Sequence, residues 1–239
     1  MEIADSFDFD DASPQSAAEW IENQILSGRL APGTRVELRM LSARYQMAAS
    51  EWTEALARLS LAGLAVPAGD QALRVAPVSL ADLEDLTSTR ILIEGAALRA
   101  AIGAGNAAWE DGIRTAYAQL AELDPLLAQG APPPGWEDAN RIFHQALTAA
   151  CPARRLLHFA GQLYLQHERY RRLSTARPHS LRDVAGEHRA LHEAALARDA
   201  DRAERLLADH IQRTATIAAE GIRDGSWFGQ SGDHSRPLR

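Results

Sequence analysis

Four polar side chains, distributed over three helical stretches, constrain how this chain can fold. Asn140 and His144 lie four residues apart in the segment GWEDANRIFH, so on a helix they share one face. His188 lies in GEHRALHEA and His210 in LADHIQR, both within helical patterns. An amide oxygen and three imidazoles that meet could enclose a divalent cation and leave positions open for a ligand. The alternative is that these histidines are ordinary surface or core residues.

The composition is ordinary for a soluble globular protein, and it excludes several other classes. No apolar run approaches the roughly 20 residues that span a bilayer, and the acidic N-terminus is unlike a signal peptide. We therefore expect a cytoplasmic protein without a membrane partner. The lone Cys151 excludes an intrachain disulfide framework. A net charge of −7 argues against a protein that coats nucleic acid, although a local basic face remains compatible with it.

The N-terminal part of the chain has the pattern of three helices and a β-hairpin. Residues 1–13 contain five acidic residues and no basic one, which predicts a disordered leader. Residues 14–78 have the outline of a winged helix-turn-helix. The predicted elements are a helix over residues 14–28, helices around Leu38–Tyr45 and Ser50–Ala62, and a hairpin of residues 64–66 and 72–75.

From Ser79 onward the pattern is helical throughout, so the fold class is mainly α. The sequence Ser79-Leu-Ala-Asp82 is a capping signal at the start of the first helix of this part. About six helices are predicted within residues 79–225, and residues 226–239 are predicted to be a flexible tail. The helices are expected over residues 80–104, 107–129, 136–150, 153–174, 181–198 and 200–224, and the fifth follows the capping signal Ser180-Leu-Arg-Asp183.

Residues 16–78 resemble the N-terminal domain of GntR-family regulators. The motifs that carry the resemblance are ILSGRLAPGTRV, LSARYQM, EALARLSLAGLAV and RVAPVS. The family pattern at the recognition helix, SRTPVREAL, is AASEWTEAL here, so Ala49 and Thr53 replace both arginines that such proteins direct at DNA. The resemblance leaves as DNA-contact candidates Arg39, Arg44, Ser50, Thr53 and Gly69.

The charge of this region also departs from that of a DNA-binding domain. Residues 14–78 hold six arginines and six acidic residues, including Glu51 at the start of the recognition helix. Contacts to phosphates supply much of the affinity for DNA. The sequence therefore predicts that recognition of an operator is weak or altered.

The helical part resembles the FCD effector domain that follows the winged helix in the FadR subfamily. The carrying motifs are STRILIEGAALRAA, NRIFHQAL and GEHRALHEAALARDADRAERLLADHI. The resemblance implies one divalent transition metal of the zinc, nickel or manganese class. Its implied ligands are Asn140, His144, His188 and His210, with Asn140 at a position where most relatives have Asp. A neutral amide in place of a carboxylate lowers the charge of the site and its expected affinity.

Two further residues are candidate ligand-binding groups, each with an alternative. Arg90 lies one helical turn before Glu94, so it either forms an ion pair or holds an organic anion beside the metal. His192 lies one turn after His188 and is interpreted as a group that supports a metal ligand or lines the ligand cavity.

Two functions remain open from the sequence. The first is a homodimeric, ligand-responsive transcriptional regulator that binds a metal, a small carboxylate and operator DNA. The second is a protein with the effector-domain scaffold that no longer recognises a DNA sequence and uses its metal site for small-molecule binding or catalysis. The sequence contains no Ser-His-Asp grouping, phosphate-binding glycine loop or dinucleotide fingerprint, so no catalytic residue is assigned.

Overall fold

The structure, a computed structural model, describes residues 16–69, 71–129, 132–175 and 182–224. The predicted leader (1–13) and tail (226–239) lie outside these residues. The described part is mainly helical, as predicted. Its elements in chain order are α1 (Ala17–Leu26), β1 (Arg35–Glu37), α2 (Leu38–Tyr45), α3 (Ala49–Leu61), β2 (Ala65–Pro67), β3 (Ala72–Val75), α4 (Leu80–Ala104), α5 (Ala107–Leu123), a 3-10 helix (Asp124–Gln129), α6 (Trp136–Thr148), α7 (Arg154–Thr175), α8 (Val184–Leu196) and α9 (Ala200–Arg223).

Helices α1–α3 and the small sheet enclose one hydrophobic core. Its centre is aromatic: the ring of Trp52 lies 5.9 Å from that of Trp20 and 6.0 Å from that of Tyr45, measured between centroids. Trp52 is fully buried, so α3 is anchored by its inner face. This packing leaves the opposite face of α3 exposed, which is the face that a recognition helix would present.

The sheet has three strands, whereas the sequence predicted a two-stranded hairpin. β3 lies in the centre, antiparallel to both neighbours, and Arg74 pairs with Arg35 of β1 and with Val66 of β2. β1 has only three residues and lacks a local hairpin partner, which explains why no sequence pattern indicated it. Gly69, at the tip of the β2–β3 hairpin, has φ +93°, a conformation that favours glycine.

Helices α4–α9 form the predicted six-helix bundle around a second core. Side-chain caps begin four of these helices: Ser79, Asn106, Asp183 and Asp199 each accept a hydrogen bond from the backbone N–H three residues later. The second helix ends earlier than expected, at Leu123, and Asp124 opens the 3-10 helix. The core is lined by fully buried residues such as Leu98, Ile113, Phe143, Leu191 and Leu207.

Helix α7 contacts both parts of the molecule. Leu165 packs against the N-terminal core, and the guanidinium of Arg169 donates to the carbonyls of Ala76 and Pro77 at 2.8 and 3.2 Å. Tyr170 accepts a hydrogen bond from the backbone N–H of Ser79. The segment between the two cores is therefore held by α7. None of the described helices is long and apolar enough to cross a membrane.

Candidate metal and effector site

The structure brings together the three histidines that the sequence singled out. His144 comes from α6, His188 from α8 and His210 from α9, and all three are buried. One nitrogen of each ring lies within 4.8 Å of those of the other two. Three imidazole nitrogens at this spacing are compatible with coordination of a single divalent cation.

Two of these imidazoles are oriented by carboxylates that the sequence reasoning missed. Nδ1 of His188 lies 2.8 Å from Oδ2 of Asp124, and Nδ1 of His210 lies 2.8 Å from Oε2 of Glu187. A carboxylate partner holds the proton on Nδ1 and leaves Nε2 available as a metal ligand. Within the described residues, Nε2 of the fully buried His188 has no hydrogen-bond partner.

The two carboxylates are themselves supported by neighbouring donors. The indole N–H of Trp136 donates to Asp124 at 2.8 Å, and Arg182 donates to Glu187 at 2.6 Å. Burial acts to raise the pKa of Glu187, but hydrogen bonds from His210 and Arg182 lower it well below its ordinary value. Glu187 is therefore ionised at neutral pH.

The imidazoles of His144 and His210 are in the neutral form that metal coordination requires. Burial lowers the pKa of His210 to about 3, against the opposing effect of its bond to Glu187. The pKa of His144 is also lowered well below its ordinary value, first by burial and then by the other two histidines. Since neutral rings bind metals, no proton has to be displaced from these two at neutral pH.

Asn140, the fourth predicted ligand, lies one helical turn before His144 on α6, and its amide is oriented by a hydrogen bond. Its Nδ2 donates to the hydroxyl of Tyr164 at 2.7 Å, and its buried Oδ1 has no hydrogen-bond partner within the described residues. The Tyr164 ring lies 5.8 Å from that of His144. Burial raises the pKa of Tyr164 to about 12, so its hydroxyl stays protonated. The three imidazoles and this amide oxygen fit a divalent transition metal.

Arg90 forms an ion pair with Glu94, which was one of the two roles that the sequence left open for this residue. Its Nε and Nη2 donate to the two carboxylate oxygens of Glu94 at 2.6 and 2.9 Å, and both side chains are buried. The guanidinium also lies over the ring of Tyr164, 5.1 Å from its centroid. Arg90 is thus adjacent to the site, but Glu94 balances its charge.

His192 lies outside the cluster of three imidazoles. Its ring stacks on Tyr117 of α5, with centroids 4.2 Å apart and planes 18° apart. The structure therefore places it at the contact between α5 and α8.

The exposed face of α3 carries the predicted contact residues Ser50 and Thr53, but little positive charge. The Thr53 hydroxyl donates to the carbonyl of Ala49 at 3.0 Å. The Glu51 carboxylate accepts from the backbone N–H of Ala48 at 2.9 Å, so this acid has a local role in starting the helix. Arg58 is the only basic residue of this helix, and it lies in its last turn.

The remaining DNA-contact candidates lie on the surface around α3. The side chain of Arg39 is 71% exposed, and its Nε lies 3.8 Å from the carboxylate of Glu37. Arg44, in the last turn of α2, lies over the ring of Tyr45, and Gly69 is exposed at the tip of the hairpin. Arg39 is thus well placed to meet a phosphate.

Comparison with known proteins agrees with this architecture. The FCD domain family matches residues 85–213. The "Uncharacterized HTH-type transcriptional regulator BphR" of Paraburkholderia xenovorans (strain LB400) is 36% identical over 230 residues, which cover 89% of this chain and 91% of that protein. The "HTH-type transcriptional repressor GlaR" of Escherichia coli (strain K12) is 28% identical over 207 residues, covering 85% of this chain and 94% of GlaR.

Two solved structures share the fold. "E. coli McbR/YncC" matches with a TM-score of 0.69 at 21% identity, covering 87% of this chain and all of that one. A putative transcriptional regulator GntR from Rhodococcus sp. RHA1 matches with a TM-score of 0.66 at 17% identity, covering 85% and 95% of the two chains. At these identities the likeness concerns the fold alone.

Proposed function

Because this chain belongs to the GntR family of HTH-type transcriptional regulators with an FCD domain, we propose that it is a regulator controlled by a metal-bound organic acid. The observation that carries the proposal is the convergence of His144, His188 and His210, with their nitrogens within 4.8 Å of one another. DNA and a second copy of the chain are the proposed macromolecular partners.

The proposed metal would be held by the three imidazoles and by Oδ1 of Asn140. Buried polar atoms rarely lack a partner, and both this oxygen and Nε2 of His188 lack one within the described residues. A cation between them would satisfy both atoms. When bound, a divalent transition metal supplies a coordination position for an anionic oxygen.

The charges around the site favour a ligand with a single negative charge. Asp124 and Glu187 each place one negative charge next to an imidazole, and the charge of Arg182 offsets one of them. Arg213 also contacts Glu187, but its side chain is 58% exposed, so solvent screens its charge. Arg90 adds none, because Glu94 neutralises it. A divalent cation would leave a net excess of one positive charge, which one carboxylate balances.

Helix α7 offers a route from this site to the N-terminal domain. Tyr164 on this helix contacts Asn140 and His144, while Arg169 holds the carbonyls of Ala76 and Pro77. A ligand can regulate DNA binding only if it prefers one arrangement of these elements. We propose that the ligand acts by changing the position of α7.

Operator binding is proposed to depend on Arg39 and Arg44 and on the hairpin tip, and to be weak. The low positive charge on the exposed face of α3 also favours a second candidate function. In this function the chain binds its ligand but does not recognise a DNA sequence. In that case the helical domain would serve as a metal-dependent binding or catalytic unit.

Two measurements on the purified full chain test the proposal. Elemental analysis after reconstitution should find about one divalent metal per chain, and His188→Ala should lose it together with the thermal stability that binding confers. His158→Ala, on the exposed surface, is the matched control. Absence of metal from the reconstituted wild type would overturn the metal site.

Selection from a random DNA library at low salt separates the two candidate functions. Enrichment of a specific sequence, with affinity that changes on adding a carboxylate, is expected of a regulator. Binding of carboxylates without any enriched DNA would support the second candidate.

A further inference from the structure

His167, on α7, is a buried imidazole that the proposed metal site does not use. It is 1% exposed, and its Nε2 has no hydrogen-bond partner within the part of the chain that the structure describes. Such unmade bonds are rare for buried side chains, and each one calls for a specific explanation. Burial, followed by the positive charges of Arg90 and Arg171, lowers the pKa of His167 well below its ordinary value. The ring is therefore neutral.

His167 lies on the side of α7 that faces the metal site. It follows Tyr164 by three residues, and on a helix this spacing places two side chains on one face. Tyr164 bonds to Asn140 and contacts the ring of His144. Helix α7 also packs against α9, the helix that carries His210. His167 thus borders the same space as the predicted ligands, one turn further along α7.

The surroundings of His167 are balanced in charge. Three arginines influence it electrostatically, and each is paired with a carboxylate: Arg90 with Glu94, Arg171 with Glu137, and Arg182 with Glu187. A second anionic group of a ligand would find no unpaired cation among these residues. An uncharged oxygen could instead form a hydrogen bond with the imidazole, which can donate or accept according to its tautomer.

We infer that His167 forms a hydrogen bond to a neutral oxygen substituent of the ligand, whose carboxylate occupies the metal. The ligand class is therefore a hydroxy or oxo monocarboxylic acid. This inference rests on the proposed metal and carboxylate site, and it adds a residue that determines specificity.

The test is calorimetry on the metal-loaded full chain with propanoate, lactate, pyruvate and malonate. Wild-type protein should bind lactate or pyruvate about tenfold more tightly than propanoate, since a site built for a hydrogen bond disfavours the analogue that lacks it. The lactate and pyruvate arms distinguish a hydroxyl from a carbonyl group. In His167→Phe this preference should disappear, while the affinity for propanoate and the metal content stay unchanged.

Three further variants complete the design. His167→Leu provides a second removal of the imidazole, should the Phe variant fail to fold. His158→Phe, on the exposed surface of the same helix, should keep the wild-type preference. His192→Phe tests a half-buried imidazole outside the proposed metal site whose Nε2 also lacks a partner within the described residues.

Several results would overturn the inference. One is an unchanged preference for lactate or pyruvate in folded variants at position 167, and another is loss of that preference in His192→Phe instead. If malonate, which has two carboxylates, binds most tightly, then the second polar group of the ligand is charged rather than neutral. If metal-loaded wild type binds none of the four acids, the proposed carboxylate site fails together with this inference. Binding of all four without discrimination overturns the inference alone.

Discussion

The helical domain and the winged helix differ in where each keeps its functional groups. In the helical domain the predicted metal ligands are buried, and two of the three imidazoles are oriented by carboxylates, His188 by Asp124 and His210 by Glu187. In the winged helix the scaffold is retained around Trp52, but the outward face of α3 has exchanged the family's arginines for Ala49 and Thr53. A buried polar group that loses its hydrogen-bond partner destabilises the folded state, whereas a substitution on an exposed face usually changes the stability little.

This difference suggests that the two domains have been under different constraints. The candidate ligands are held by hydrogen bonds to partners on the 3-10 helix, α7 and α8, so the site and the fold depend on each other. The recognition helix needs only its inner face to fold. Substitutions in each domain can show whether the buried site is coupled to folding and whether the exposed face of α3 is free to vary.

The largest expected effect is acid destabilisation confined to the helical domain of the metal-free protein. The folded-state pKa values of His144, His167 and His210 lie below the unfolded value of 6.5, and that of His210 is about 3. Below pH 6.5 the unfolded chain therefore binds more protons, so stability is present above that pH and is lost as the pH falls. Each group contributes up to about 1.4 kcal/mol per pH unit.

Hydrogen exchange followed by region measures this effect. Between about pH 6.5 and 4.5, protection should fall first in α6, α7 and α9, which carry these three histidines, because none of the histidines lies in the winged helix. Earlier loss of protection in α1–α3 would contradict the comparison.

Next in size is the effect of Asp124→Asn on metal affinity. The amide cannot supply the negative charge that holds the Nδ1 proton of His188, so the metal affinity should fall by about 10- to 100-fold. Competition with a chromophoric chelator measures it. Asp111→Asn, a surface carboxylate paired with Arg114, is the matched control. Equal affinities of the two variants would show that Asp124 does not support the site.

The helices and the shared helix face of Asn140 and His144 could be predicted from sequence, because both are local patterns. Asn140 and His144 share a helix face by spacing alone, and the caps at Ser79 and Asp199 mark helix starts. The supporting groups could not be predicted in this way. Asp124 is 64 residues from His188, and Glu187 adjoins His188 in sequence yet bonds to His210.

Non-local packing accounts for the other residues that sequence reasoning missed. His167 and Tyr164 belong to no motif, and their relation to the site exists only once α7 packs beside α4 and α9. β1 likewise depends on pairing with β3, far along the chain. The resemblance of the recognition helix located α3 but could not show that Glu51 accepts a bond from Ala48.

A smaller effect is expected from restoring arginines to the recognition helix. Ala49→Arg/Thr53→Arg should strengthen non-specific DNA binding and steepen the dependence of log affinity on log salt by up to about 1.8, since each phosphate contact contributes about 0.9. Ser88→Arg/Ala96→Arg adds the same charge on the exposed surface of α4 and is the control. Salt titrations that are identical for both double variants would mean that α3 does not meet DNA.

The smallest effect concerns the fourth candidate ligand. Asn140→Asp should tighten metal binding by about 1 kcal/mol, roughly fivefold, because it adds a negative charge in a partly screened site. The gain is limited because Asp124 and Glu187 already supply negative charge around the imidazoles. The chelator competition used for Asp124→Asn measures it, and an unchanged affinity would indicate that position 140 does not touch the metal.

Tyr164 allows a second test of position 140. An amide has only one oxygen that can bind a metal and must be oriented to present it, whereas either oxygen of a carboxylate can bind. In the wild type the Tyr164 hydroxyl accepts the Nδ2–H bond of Asn140, which fixes the amide with Oδ1 buried and without a partner within the described residues. Tyr164→Phe should therefore weaken metal binding in the Asn140 background, since the amide is then free to turn its NH₂ group inward. In the Asn140→Asp background either oxygen can serve, so the same substitution should cost less. Equal costs in the two backgrounds would show that Tyr164 contributes packing alone, and that the orientation of Asn140 has another cause.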